Sequence, residues 1–301
     1  MAALVPFDDR DGFIWWDGKL IPWRDAKLHV LSHGLHYGSA VFEGERSYGG
    51  NIFKLEAHTD RLFESARILG FEIPFTKAQV NEACIDVMAA NNLTEAYIRP
   101  LAWRGSEQLA VSAQLTKTHV MVACWEWPNL FGADRMKGVR LSIADWRRPH
   151  PQTAPTAAKA AGLYMIGTMS KHKAEADGYN DALMYTWDGF VGEVTGANIF
   201  FAKDGKLHTP LPDCFLDGIT RKTVIGLAKA RGIEVIERHI RPEELADFNE
   251  AFVTGTAAEI TPVRQIGPDL HFAPTTITET LKDDYEALVL MTPEEVTRRA
   301  A

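Results

Sequence analysis

The chain has 301 residues, 46% of them hydrophobic and 24% charged, and a formal net charge of -8. That length exceeds one minimal core and fits two domains or one large α/β unit. No basic run exceeds the Arg147-Arg148 pair, which argues against a nucleic-acid or anionic-membrane partner, and no apolar segment approaches the length of a membrane span. The three cysteines, Cys84, Cys124 and Cys214, are too few and too scattered for a disulfide framework or a metal knuckle. No metal site is expected. The N-terminus lacks a basic stretch followed by an apolar run, so no signal peptide is expected and the cytoplasm is the expected compartment.

In chain order, Phe13 to Trp16, the turn Asp17-Gly18 and Lys19 to Ile21 read as a hairpin, because Asp-Gly supplies positive φ angles. A strand from Val41 to Tyr48 pairs across Gly49-Gly50-Asn51 with Ile52-Phe53. Helices follow over Leu55 to Leu69 and after Thr76, the second carrying Val80, Ala83, Cys84, Val87 and Met88 on one face. Ala96 to Trp103 alternates as a strand, with Tyr97, Arg99, Leu101 and Trp103 on one face and Ala96, Ile98 and Ala102 on the other. Arg99 in that setting is either a partner for a buried carboxylate or the wall of a pocket for an acid.

Thr118 to Trp125 is a further strand, and Pro, Asn, Gly and charge from Trp127 to Gly138 mark a boundary. The second half opens with a strand over Val139 to Asp145. A helix from about Tyr164 to Asp177 precedes hairpins at Asp188-Gly189 and Asp204-Gly205. A helix then runs from Gly218 to Arg231 with Gly232 closing it, a strand covers Ile233 to Ile236, and Phe252 to Glu259 is a strand entering a small-residue turn.

The chemistry centres on Ala154 to Tyr164, where Lys159 lies among Ala157, Ala158, Ala160, Ala161 and Gly162 with no carboxylate within four residues. Taken alone it is an ordinary solvated lysine or an amine exposed to a flat aldehyde cofactor. Gly218-Ile219-Thr220 at a helix start and Gly255-Thr256-Ala257 after a strand offer backbone N-H groups to an anion. Glu193, in a loop of small residues, is either a solvated carboxylate or the partner of a pyridine nitrogen.

A set of segments in chain order carries a resemblance: HGLHYGSAVFEG from His33, AHTDRL from Ala57, YIRP from Tyr97, PTAAK from Pro155, GEVTGANIF from Gly192, DGITR from Asp217 and GTAAEITPVR from Gly255. Together they resemble the branched-chain amino acid aminotransferases, class IV, fold-type IV enzymes that use pyridoxal 5'-phosphate (PLP). The resemblance implies an α/β (α+β) chain of two domains. Residues 1-127 would form the N-terminal α+β domain, 128-134 the linker, and 135-301 a C-terminal pseudo-barrel, with the cofactor between the domains.

By the same resemblance Lys159 holds the cofactor covalently and shuttles the α-proton. Arg61, Ile219, Thr220 and Thr256 hold its phosphate, Glu193 its pyridine nitrogen and Tyr164 its ring hydroxyl. Tyr97 and the Thr256-Ala257-Ala258 turn take the substrate α-carboxylate, and Arg99 takes the distal carboxylate of glutamate. Tyr37, Phe42 and Tyr164 line the side-chain pocket, with Leu109 and Val111 on a loop from a neighbouring subunit.

The implied reaction moves the amino group of an L-branched-chain amino acid to 2-oxoglutarate in a homodimer or a higher oligomer. D-amino-acid or (R)-amine transaminase and aminodeoxychorismate lyase are the alternatives on the same fold. Departures from the family pattern are Glu45, where an Ile or Val is usual, the position at Leu130 or Phe131 that matches a pocket tyrosine, and the polar run Arg104, Ser106, Glu107 and Gln108.

Overall fold

A computed structural model describes residues 5-126, 135-273 and 276-291, so the expected linker over 128-134 and the Leu130 or Phe131 position lie outside the described residues. The chain divides into two compact units. One comprises Met1–Trp127 with Ala158–Gly162, and the other Pro128–Ala157 with Leu163–Ala301. The lysine segment therefore packs with the N-terminal half of the chain.

The first unit is a seven-stranded sheet with two long helices packed on one face. Its strands are β1 (Phe13–Trp16), β2 (Lys19–Pro22), β3 (Ala40–Phe42), β4 (Glu45–Tyr48), β5 (Asn51–Ile52), β6 (Ala96–Arg104) and β7 (Thr118–Trp125). They are ordered β2-β1-β7-β6-β4-β5, with β3 also on β6. The helices are α1 (His33–Tyr37), α2 (Leu55–Ile68) and α3 (Lys77–Ala90). Thr76 and Gln79 form a reciprocal capping box that fixes the start of α3.

Alternation along β6 works as expected: Ala96, Ile98 and Ala102 join Leu62, Ala66, Val80, Ala83, Cys84 and Val87 in one core. Tyr97 and Arg99 consequently point away from α2 and α3.

The expected strand over Val41 to Tyr48 is instead two strands interrupted at Glu43-Gly44. Glu43 is fully buried with its carboxylate on α2 side chains, and a Cβ at Gly44 would overlap the Tyr97 hydroxyl. Side-chain demands on both sides of the sheet thus override the β propensity of the run.

The second unit is a nine-stranded mixed sheet. It comprises β8 (Val139–Ile143), β9 (Asp181–Tyr185), β10 (Val191–Val194), β11 (Asn198–Lys203), β12 (Lys206–Pro210), β13 (Val235–Arg238), β14 (Glu250–Gly255), β15 (Glu259–Ile266) and β16 (Leu270–His271). The order is β10-β9-β8-β15-β14-β11-β12-β13, with β16 on β15.

The sheet curls. Val191 N-H donates to Ile240 O at 2.8 Å, which ties the β10 edge to the chain just past β13 at the opposite edge and gives a pseudo-barrel. Val139, Leu141, Leu183, Ile199, Phe201, Val253 and Val263 fill one apolar core in this unit. The helices are α4 (Met165–Ala176), α5 (Ile219–Ala230) and α6 (Thr276–Val289). The strand expected from Ile233 starts at Val235, because Ile233 N-H is spent on Ala228 O in the cap that ends α5 at Gly232.

Candidate active site

In the first unit Lys159 is pinned by its backbone: its N-H donates to Ser65 Oγ of α2 at 3.0 Å and its carbonyl accepts from Phe42 N-H at 3.2 Å. A bridge between Val41 and Ala160 extends that contact by one residue. The half-buried side chain then lies along Phe42, with Nζ 5.1 Å from the ring centroid. The small neighbours act here through the backbone, since Ala158 and Ala160 are buried and allow the segment to sit against β3 and α2.

Arg99 approaches the same ring, its guanidinium carbon 4.6 Å from the Phe42 centroid and 5.2 Å from that of Tyr97. Arg99 Nη2 donates to the Tyr97 hydroxyl at 3.0 Å. Among the described residues no carboxylate pairs with Arg99, and its Nε is buried without a hydrogen-bond partner. A half-buried guanidinium with its Nε short of an acceptor can take one from a ligand.

Arg61 belongs to a buried ionic network. Its Nε and Nη2 donate to the two oxygens of Glu43 at 2.7 and 2.8 Å, and His58 Nδ1 lies 2.7 Å from Glu43 Oε2. Burial alone would raise the Glu43 carboxyl. The Arg61 charge and hydrogen bonds, joined by His58, overcome that and hold it well below the usual range. Burial pulls His58 down, more than Glu43 restores. Arg61 thus approaches any anion with its charge partly balanced by Glu43.

In the second unit Glu193 is nearly buried on β10. Its Oε1 lies 3.0 Å from Arg148 Nε, an ion pair without hydrogen-bond alignment, and its Oε2 accepts from Asn198 Nδ2 at 3.1 Å. Arg148 Nη2 is itself fixed by the Thr195 carbonyl at 3.2 Å. Asn198 Nδ2 also donates to Leu216 O at 3.0 Å, and a Cβ at Gly218 would overlap Asn198 Oδ1. Asn198 therefore joins Glu193 to the start of α5.

That helix start has no side-chain cap, and the N-H groups of Ile219 and Thr220 in its first turn have no intrahelical acceptor. Thr256, Ala257 and Ala258 form the turn between β14 and β15, closed by Gly255 opposite Glu259. Tyr164 is half-buried and immediately precedes α4, with its carbonyl accepting from Thr168 Oγ1 at 3.1 Å.

Tyr37, Leu109 and Val111 are exposed in the first unit. The polar residues beside them brace their own loop. Arg104 donates to Ala113 O and Gly70 O, Glu107 accepts from Lys117 N-H, and Gln108 accepts from Leu115 N-H.

A family model described as amino-transferase class IV matches residues 40–266. The chain is 43% identical over 263 residues to the branched-chain-amino-acid aminotransferase of Pseudomonas aeruginosa, covering 86% of each. The chain belongs to the branched-chain-amino-acid aminotransferases of class IV. Its fold agrees with that of the Escherichia coli branched-chain amino acid aminotransferase, at a TM-score of 0.90 and 36% identity over 94% of this chain and 97% of that one. The branched-chain amino acid aminotransferase of T.th., solved with N-(5'-phosphopyridoxyl)-L-glutamate, agrees at 0.88 and 38% identity over 95% of this chain and 96% of that one. The cofactor of this class IV aminotransferase is PLP.

The residues fit that group. The first unit carries a half-buried amine that suits an aldehyde, and the second a carboxylate held by a cation and an amide and an uncapped helix start, which suit a pyridine nitrogen and a phosphate. Four residues that position candidate residues were not singled out by the sequence reading: Glu43 and His58, which hold Arg61 in the first unit, and Arg148 and Asn198, which hold Glu193 in the second. Glu43, His58 and Asn198 lie inside the quoted motifs FEG, AHTDRL and GEVTGANIF. Arg148 gave no signal beyond its charge, because its partner is 45 residues away on another strand. Among the described residues there is no cluster of His, Cys, Asp or Glu that could hold a metal, and no helix long and apolar enough to cross a membrane.

Proposed function

We propose that this branched-chain aminotransferase works through Lys159, passing the amino group of an L-branched-chain amino acid to 2-oxoglutarate by the following division of labour. Lys159 holds PLP through its amine and, once released, moves a proton at the substrate α-carbon through Nζ. Arg61, the Ile219-Thr220 helix start and Thr256 bind the phosphate. Glu193, held by the Arg148 cation and Asn198, accepts the hydrogen bond of the pyridine nitrogen, and Tyr164 donates to the ring hydroxyl. When bound, PLP supplies an electron sink for the negative charge left at the α-carbon.

Tyr97 and the N-H groups of the Thr256-Ala257-Ala258 turn orient the substrate α-carboxylate. Tyr37, Phe42, Tyr164, Leu109 and Val111 line the side-chain pocket, the last two from a second copy of the chain. Exposure of Tyr37 (49%), Leu109 (42%) and Val111 (87%) in the single chain supports that pairing. The assembly is a homodimer or a higher oligomer acting on small amino and 2-oxo acids in the cytoplasm, with no nucleic-acid or membrane partner.

One observation carries this reading. The Lys159 amine and the Arg99 guanidinium stand over the same Phe42 ring. An apolar wall that carries both an amine and a carboxylate-seeking cation accommodates both a branched side chain and the distal carboxylate of glutamate.

The test is a half-reaction on PLP-loaded protein, with L-leucine, D-alanine and aminodeoxychorismate added separately. Conversion of the cofactor absorbance by L-leucine, and by L-glutamate in a parallel sample, is expected. Conversion by D-alanine alone, or pyruvate from aminodeoxychorismate, contradicts the assignment.

A further inference from the structure

We propose that His33 is a positioning residue for side-chain selection, tying Tyr37 of the chain's own pocket to the 109–111 loop that the same chain lends to its neighbour's pocket. The inference rests on the reading above that Tyr37, Leu109 and Val111 contact the substrate side chain. His33 is 3% exposed at the start of α1. Its ring Nε2 lies 2.9 Å from Ala110 O, and a carbonyl only accepts, so Nε2 carries the hydrogen. Ala110 sits between the two loop residues that would reach the substrate. The opposite side of the imidazole stacks on Tyr37, one helical turn later, with centroids 4.6 Å apart and planes 27° apart. One ring thus touches both a wall residue of the chain's own pocket and the loop offered to the neighbouring one.

The rest of the loop is held elsewhere. Arg104 fixes Ala113, Gln108 fixes Leu115 and Glu107 fixes Lys117, while the backbone of His33 donates to Gly105 O at 2.8 Å. These contacts brace the base and the return limb of the loop. The apex at Ala110 depends on the His33 side chain among the hydrogen bonds described.

His33 Nδ1 is buried without a partner, a penalty that an apolar ring of similar size would not carry. An aromatic residue alone would satisfy the stacking on Tyr37. The hydrogen bond to Ala110 is what the imidazole adds.

The experiment compares three variants of the full PLP-loaded chain. His33→Phe keeps the stacked ring and removes the donor, His33→Gln keeps a donor near the Nε2 position, and Val111→Ala trims the wall itself. His33→Phe is expected to raise KM for L-leucine and L-valine roughly three- to tenfold with a much smaller change in kcat. Hydrogen-deuterium exchange over residues 107–113 should rise in the same protein, and His33→Gln should restore both readouts to within about twofold.

Unchanged KM and unchanged exchange in His33→Phe, with KM shifted in Val111→Ala, overturn the role of His33 and leave the pocket reading standing. An unchanged KM in Val111→Ala removes the pocket reading and this inference with it. If His33→Phe does not fold, His33→Asn, too short to reach Ala110 O, carries the same expectation.

Discussion

Glu43 grips Arg61 through both of its oxygens, at 2.7 and 2.8 Å, at the point where the β3-β4 strand breaks. Glu43 has no exposed surface and Arg61 little, so neither charge is screened by solvent as a surface pair would be. The break in the strand, the burial of a carboxylate and the orientation of a guanidinium on α2 are one arrangement.

Removing Glu43 leaves Arg61 buried without its counter-charge. Glu43→Ala is expected to cost about 3–5 kcal/mol, read by urea unfolding of the PLP-free protein. The pH dependence has a definite sign. The folded carboxyl sits below its ordinary value of 4.5, so the stability it contributes is present above that pH and is lost as pH falls toward the folded value. Wild type should lose stability more steeply than Glu43→Gln between pH 5 and pH 3; parallel curves would contradict the assignment.

Glu45 behaves oppositely. It is fully buried, and burial, followed by the charge of Glu43, holds it well above 4.5. The unfolded chain releases this proton near pH 4.5 while the folded chain keeps it, so its contribution is lost as pH rises from there toward the folded value. Glu45→Val should therefore raise the Tm, with a gap over wild type that is small at pH 4.5 and wider at pH 8. A gap independent of pH would show that Glu45 is ionised in the fold or that packing alone sets the difference.

Asn198 and Gly218 are expected to fail together. A methyl group at Gly218 must displace Asn198, which breaks its bond to Glu193, so Gly218→Ala and Asn198→Ala should each weaken PLP retention by roughly tenfold, about 1.4 kcal/mol. The double variant should be no worse than either single one. Titration of PLP into the three proteins measures this, and additive losses would separate the two residues.

Local signals made much of this fold legible. Asp17-Gly18 marked its hairpin, the apolar face from Val80 to Met88 marked α3, and alternation along β6 placed Tyr97 and Arg99 away from α2 and α3. Three elements were less accessible for physical reasons. The β3-β4 break depends on a carboxylate-guanidinium pair 18 residues apart. The β15 strand is buried almost throughout, so it lacks alternation, and it contains Pro262. The α6 helix follows Gly267, where the recognisable motifs end.

The site was legible in the same uneven way. Lys159, Glu193 and the start of α5 stood out because a small-residue setting or a helix start has a local signature. Arg148 and Asn198, which position Glu193, did not. Their meaning comes from contacts across strands, and only the folded chain brings those together. The departure at Glu45 was visible as a residue type, while its burial beside the Glu43 carboxylate was not.

The most direct test of the account is borohydride reduction of the PLP-loaded full chain followed by peptide mass mapping, with and without prior addition of L-leucine. The account predicts a pyridoxyl mass on the peptide that contains Lys159, lost when L-leucine is added first. A label on a different lysine, or a Lys159 label that L-leucine leaves in place, would contradict it.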